Sequence, residues 1–198
     1  MLFLVMPKAT DSKEKTLAAA IQLFRRQGFH GTALQDILAA GGAPRGSLYF
    51  HFPGGKEEIG EAALRLAGET VRGRIALAAQ AAASAEIFLT RLARGMAADL
   101  ESSGFNDGCP IATTALETSA QSEALCGATR RAFQSWEREI ARGLERFGIS
   151  SDTAEGLATI VLSQLEGALL LARTYHDPRP LQHAEQALTL LLLAQPRT

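Results

Sequence analysis

Between Thr32 and Lys56 the chain reads TALQDILAAGGAPRGSLYFHFPGGK, and no other stretch constrains the fold as tightly. Its physics is that of two short helices joined by a tight turn. Thr32 is a strong N-cap type, and Gln35 three residues on completes a capping box. Leu34, Ile37 and Leu38 form an apolar stripe at helical spacing. Gly41-Gly42 stops that helix, because glycine reaches left-handed backbone angles without penalty. Pro44 restarts the chain as a second helix, since a first-turn position has no amide bond to lose. Leu48 and Phe52 fall at i and i+4 on its inward face, which leaves Arg45, Gly46, Ser47, Tyr49 and Phe50 outward. A helix showing Arg, Ser and Tyr beside a bare glycine suits close approach to a polar groove. This is the layout of a helix-turn-helix that offers its second helix to the DNA major groove.

The flanking sequence predicts helices throughout. One runs from Ser12 to Gln27, capped by Asp11 or Ser12, with Leu17, Ala20, Ile21 and Phe24 buried and Gly28 as its stop. Arg25 and Arg26 sit in its last turn, where the helix dipole favours cations. Pro53-Gly54-Gly55 breaks the chain before a long helix from Lys56 to about Ala79, with Ile59, Ala63, Leu66 and Ala67 inward. A lysine opposes the dipole preference at a helix start, and Glu57 and Glu58 partly offset it. An arriving phosphate would account for a cation there; simple solvation is the plainer alternative.

A helix from Ala85 to Glu101 follows, carrying Phe88, Leu92 and Met96 at i, i+4 and i+8. Residues 102–107 read as a loop with an Asn106-Asp107-Gly108 turn, and Pro110 opens a short helix through Glu117. Ser122 starts the next helix, which Gly148 closes; its stripe includes Leu125, Thr129, Ala132, Phe133, Trp136 and Ile140. Phe133 and Trp136 read either as core or as the wall of a pocket. Asp152 and Glu155 form a further capping signature, ahead of a helix from Thr153 to Tyr175. The last helix spans Leu181 to Leu193. These two C-terminal helices carry more apolar surface than one small domain covers, which points to a four-helix interface between two copies.

Composition narrows the function. From Lys8 to Lys56 there are seven Lys/Arg and three Asp/Glu, a net +4 that leaves −5 on the rest of the chain. A basic piece on an acidic body fits a nucleic-acid contact confined to one end. The two cysteines, Cys109 and Cys126, form no C-x-x-C, so a reduced cytosolic chain is the default. MLFLVM is too short an apolar run for a signal peptide and has no basic residues ahead of it. His30, His51, His176 and His183 show no metal-ligand spacing, and no phosphate loop with G-K-[ST] occurs. Catalysis, a metal and a cofactor are therefore not expected.

The pattern AA-x-x-LF-x-x-x-GF at Ala19 to Phe29, with Thr32, Asp36-Ile37 and GGAPRGSLYFHFPGGKEE, resembles the TetR family of bacterial transcriptional repressors. That likeness covers about the first third of the chain. APRGSLYFHFPGGK, with Gly108-Cys109-Pro110-Ile111, looks like the LmrA/YxaF-like branch. Gly41 departs from the family's usual alanine and reads as a slightly looser turn. The resemblance implies an all-α fold: a three-helix DNA-binding domain over residues 1–55, joined by a long helix to a helical ligand-binding and dimerisation domain over 56–198. It implies a homodimer paired through its last two helices on double-stranded, palindromic operator DNA in the cytoplasm, released by a small apolar or aromatic effector. Arg45, Ser47 and Tyr49 are expected at base edges and Gly46 at a close backbone approach. Thr32, Phe50, His51 and Lys56 are expected on the sugar-phosphate backbone. Effector contacts are expected from Phe88, Leu92, Met96, Cys109, Phe133, Trp136, Gln164 and Tyr175, because a few polar groups in an apolar helical cavity make a small-molecule site. The rival readings are a small-molecule binding protein with a vestigial head and a helical enzyme whose titratable pair is not visible in sequence.

Overall fold

The computed structural model describes residues 12–42 and 50–194. Most of the second helix of the expected helix-turn-helix, residues 44–49, lies outside the described residues, as does the Met1–Met6 extension. Among the described residues the secondary structure is eight helices and no strand: α1 (Ser12–Gln27), α2 (Leu34–Gly41), α3 (Gly55–Gln80), α4 (Ala85–Ser102), α5 (Pro110–Thr118), α6 (Glu123–Glu145), α7 (Ser151–Tyr175) and α8 (Arg179–Leu193). The fold is all-α, and most elements fall within two residues of the expected spans.

The chain packs as two units. The first holds residues up to Glu69 together with Cys109–Ala132; the second holds Thr70–Gly108 and the chain from Phe133 onward. The packing boundary thus falls inside α3 and α6, and α5 belongs with the N-terminal helices. Continuous hydrogen bonding carries α3 over 26 residues, about 39 Å at 1.5 Å per residue.

In the first unit α1 buries Thr16, Leu17, Ala20, Ile21 and Phe24, the face its periodicity marks out. Gly28 ends it at φ +75°. The start of α2 departs from expectation. Thr32 does not cap it: its hydroxyl donates to Gly28 O at 2.7 Å and the residue is fully buried. The helix therefore begins one residue later, with Ala33 as N-cap. The Asp36 carboxylate, rather than Gln35, reaches back to accept the Ala33 N–H at 3.0 Å. Gly41 is not loose. A Cβ there would stand 3.3 Å from both Lys15 O and Thr16 Cα, so the bare glycine lets α2 approach the α1 backbone. Gly42 closes α2 in the left-handed region at φ 62°.

In the second unit α8 packs on α4 and α7, and α4 also meets α7. The core of α4 is Ala85, Phe88, Leu89, Ala93 and Leu100. Leu92 and Met96 are only half-buried, because neighbours on two sides shift the covered face away from the simple i, i+4, i+8 line. Arg94 on α4 grips the Glu185 carboxylate on α8 with two bonds, Nε to Oε2 at 3.1 Å and a terminal nitrogen to Oε1 at 2.9 Å. The start of α7 is also a correction: Ser150, not Asp152, is the N-cap, and its hydroxyl donates to Thr153 Oγ1 at 2.9 Å. Asp152 and Glu155 are exposed. Two faces of α7 are apolar. Ala154, Leu157, Ala158, Val161, Leu165, Ala168, Leu169 and Ala172 are buried, while Ile160, Leu170, Leu171 and Tyr175 are exposed. Among the described residues α7 is also the one helix long and apolar enough to cross a bilayer by length and composition.

Candidate nucleic-acid interface

Arg45, Gly46, Ser47 and Tyr49, expected at base edges, lie outside the described residues. The groups expected on the phosphate backbone are described, and they belong to the first unit. Phe50 and His51 are helical residues just before Pro53. Phe50 is 83% exposed, which is unusual for so large an apolar ring, and His51 lies edge-on to it at 5.2 Å. Phe52 is buried beneath the Lys13 ammonium, 5.8 Å from the ring centre. This division, Phe50 out and Phe52 in, is the one the sequence pattern predicts. Thr32 offers no exposed side chain in this arrangement.

Lys56 occupies the second position of α3, and its Nζ stands 4.2 Å over the centre of the Phe29 ring. Such a cation–π contact holds an ammonium in place without neutralising it. Burial pushes the Lys56 pKa down, and the charges of Glu117 and Asp36 pull it back up. The first-turn acids are committed elsewhere. Glu58 accepts the Gly54 N–H at 2.8 Å, and Glu57 accepts the Ser122 hydroxyl. The ring beneath Lys56 is itself fixed: Phe29 leans on Phe24 at 5.5 Å and closes on Gly60, where a Cβ would meet Phe29 Cε2 at 2.8 Å. Lys56 and Gly60 are one helical turn apart, so Phe29 lies along α3 under the lysine. The outcome is a charged nitrogen held by a packed aromatic core near the start of a helix, where free backbone N–H groups and the dipole favour an anion.

Sequence reasoning missed the groups that tie this region together. The Thr113 hydroxyl reaches Phe24 O at 3.0 Å, sharing its proton with Cys109 O at 2.9 Å, and Glu117 Oε2 accepts the His30 N–H at 2.8 Å. The four-residue spacing of Thr113 and Glu117 on a helix opened by Pro110 was visible; the partners, Phe24 on α1 and His30 in the turn after it, roughly ninety residues away, were not.

The candidate effector residues are spread out. Phe88 is fully buried in the second unit, its ring filling the space a Gly143 side chain would need. Phe133 and Trp136 meet edge to face, centroids 5.5 Å apart at 88°. Leu92 and Met96 are half-buried, and Gln164 and Tyr175 are exposed on α7. Cys109 is in the other unit, where its sulfur accepts the Ala112 N–H at the start of α5. An open groove of about 480 Å³ between α6 and α7, lined by Glu137, Arg138, Arg142, Glu145 and Glu155 among others, holds none of these candidates. Its charge does not suit an apolar effector.

Comparison with known proteins completes the picture. Residues 17–68 match the family described as bacterial regulatory proteins, tetR family. Residues 85–187 match the C-terminal domain of LmrA/YxaF-like transcriptional regulators. The chain is 35% identical to the HTH-type transcriptional regulator LmrA of Bacillus subtilis (strain 168) over 92% of this chain and 97% of that one. The crystal structure of a TetR transcriptional regulator from Legionella pneumophila superposes with a TM-score of 0.83 at 22% identity, covering 93% of this chain and 98% of that chain. A cysteine mutant of the TetR family regulator CifR, solved with 26-bp double-strand operator DNA, superposes at 0.78 with 26% identity, covering 96% of this chain and 100% of the other.

Proposed function

Because this chain belongs to the TetR family of bacterial transcriptional regulators, we propose that it acts in the cytoplasm as a homodimeric, ligand-responsive repressor of a palindromic operator. In this reading residues 1–55 form the DNA-binding domain and 56–198 the ligand-binding and dimerisation domain. The observation that carries it is the Lys56 nitrogen, held over Phe29 in the first turn of α3 inside the segment matched to the tetR family. Exposed Phe50 and half-buried His51, which precede the same helix in the chain, provide further backbone contacts. Arg45, Ser47 and Tyr49 read base edges, arginine to guanine N7/O6 being the commonest such pairing. The CifR relative, solved with operator DNA, supports the DNA-binding reading as a whole.

The uncovered apolar side chains of the last two helices, Ile160, Leu170 and Leu171 on α7 with Leu190 and Leu193 on α8, support pairing of two copies there. Half-sites then lie about 34–36 Å apart or at a multiple of this. A small apolar or aromatic effector releases the operator by population shift. Moving occupancy from 99:1 to 1:99 takes roughly 5.5 kcal/mol of differential affinity. Calorimetry in which effector and DNA leave each other's affinity unchanged rules that coupling out.

Fluorescence anisotropy with duplexes from the DNA flanking the chain's own gene tests the whole reading. Saturable binding by two chains per duplex is expected. A protein that binds no duplex, or that sediments as a lone 21.1 kDa chain, contradicts it. Lys56→Ala is expected to weaken binding to all duplexes alike and to reduce the salt slope by about one; an unchanged slope removes Lys56 from the phosphate contacts. Arg45→Ala is expected to cost about 1–3 kcal/mol on the operator and to relax the preference at one base pair. Equal losses on operator and random DNA would argue against a base contact.

A further inference from the structure

Glu117 stands in an electrostatically unusual place. Its carboxylate lies across the C-terminal end of α1, where the helix dipole presents negative charge and an acid is disfavoured. Oε2 accepts the His30 N–H at 2.8 Å. Oε1 occupies the space in front of Gly28, only 2.0 Å from where a Cβ would be, and Gly28 itself sits at φ +75°. One turn earlier on α5, the Thr113 hydroxyl lies 3.0 Å from Phe24 O and 2.9 Å from Cys109 O of its own helix turn, which share its one proton. Phe24 and Gly28, the residue just past α1, are likewise four residues apart, so α5 meets this stretch at matching intervals. The carboxylate therefore grips the backbone just after Phe29, at His30, and lies against Gly28 just before it; Phe29 is the residue whose ring carries Lys56 at 4.2 Å. The same turn continues into Thr32, whose buried hydroxyl closes back on Gly28 O, and then into α2.

We propose that Glu117 is a positioning residue for DNA binding: its bond to the His30 amide locks the Gly28–Thr32 turn and so sets the ring on which Lys56 rests. The proposal rests on the reading of Lys56 as a phosphate contact. A charge-assisted bond to a backbone N–H is among the stronger hydrogen bonds, and no side chain within the turn itself supplies that acceptor to His30. Glutamine at 117 retains a carbonyl oxygen for the same amide, whereas alanine does not.

The test measures three quantities on the full chain: affinity for a mixed-sequence duplex across a salt series, hydrogen exchange at the His30 amide, and the thermal midpoint. E117A is expected to expose the His30 amide to exchange and to weaken duplex binding about tenfold, a change of one decade, under conditions where it remains folded. E117Q is expected to restore both to within about threefold, since the acceptor is kept and only the charge is lost. If E117A fails to fold, Glu117→Leu removes the acceptor at similar volume and is read the same way. Wild-type affinity in E117A alongside fast exchange at His30 overturns the positioning role and leaves the DNA-binding reading intact. E117Q as weak as E117A also overturns it, because the charge and not the bond would then matter. A wild-type chain that binds no duplex overturns both.

Discussion

Phe24→Ala lowers the unfolding free energy by about 3–5 kcal/mol and weakens DNA binding in the molecules that stay folded. The first effect follows from burial: Phe24 is fully buried in α1, among the largest side chains with no exposed surface. Truncation forfeits the transfer of a whole aromatic ring from water and leaves a cavity that the surrounding helices fill only in part. The second effect follows from what the ring supports. Phe24 meets Phe29 at 5.5 Å, and Phe29 carries Lys56. With Phe24 gone, Phe29 can move toward the vacated space and the ammonium loses its platform. The Phe24 backbone oxygen that accepts from the Thr113 hydroxyl is kept by the substitution. Urea unfolding at constant m-value, with a salt series of duplex binding below the transition, reads both effects. A stability loss of the expected size with unchanged duplex affinity would break the link from core to interface.

Trp136→Ala separates the two readings of the aromatic pair on α6. Trp136 is 2% exposed, and Phe133 meets it edge to face at 5.5 Å. A ring this deeply packed is core, so truncation is expected to cost about 3–5 kcal/mol, including the roughly 0.5–1.5 kcal/mol of the aromatic pair. A tryptophan on the wall of an open effector pocket borders space that already exists, and its removal costs far less stability while changing effector affinity. Denaturant unfolding of Trp136→Ala and Trp136→Phe measures the difference, with phenylalanine expected to recover a large share. A loss under about 1 kcal/mol, too small for a packed ring, combined with altered effector binding would return Trp136 to the pocket.

Much of this protein is written locally. The buried faces of α1 and α7 are read directly from the recurrence of Leu17, Ala20, Ile21 and Phe24, or of Leu157, Val161, Leu165 and Ala172, because helical periodicity is a property of neighbouring residues. Gly28, Gly42 and Gly148 stop helices where they were expected to, since a positive φ is a demand on one residue. The outward Phe50 and inward Phe52 follow from spacing alone, and the family from the residues around them. The caps were harder. Thr32 is the right residue type for an N-cap, yet its hydroxyl has a nearer acceptor in Gly28 O, and α2 starts with Ala33 instead. Local propensity lists the partners a hydroxyl can take, and packing chooses among them.

The pieces decided only by tertiary structure are those whose partners are distant in the chain. Nothing near Glu117 in the sequence announces His30, 87 positions earlier, and nothing near Cys109 places α5 with the N-terminal helices instead of with Phe88 and Trp136. Helix identity, apolar faces and the DNA-reading motif arise from interactions within a few residues, so the sequence by itself determined them. The platform under Lys56 and the grip on the turn that carries it come from hydrogen bonds and ring contacts across long loops. Their energy exists only once the helices have met.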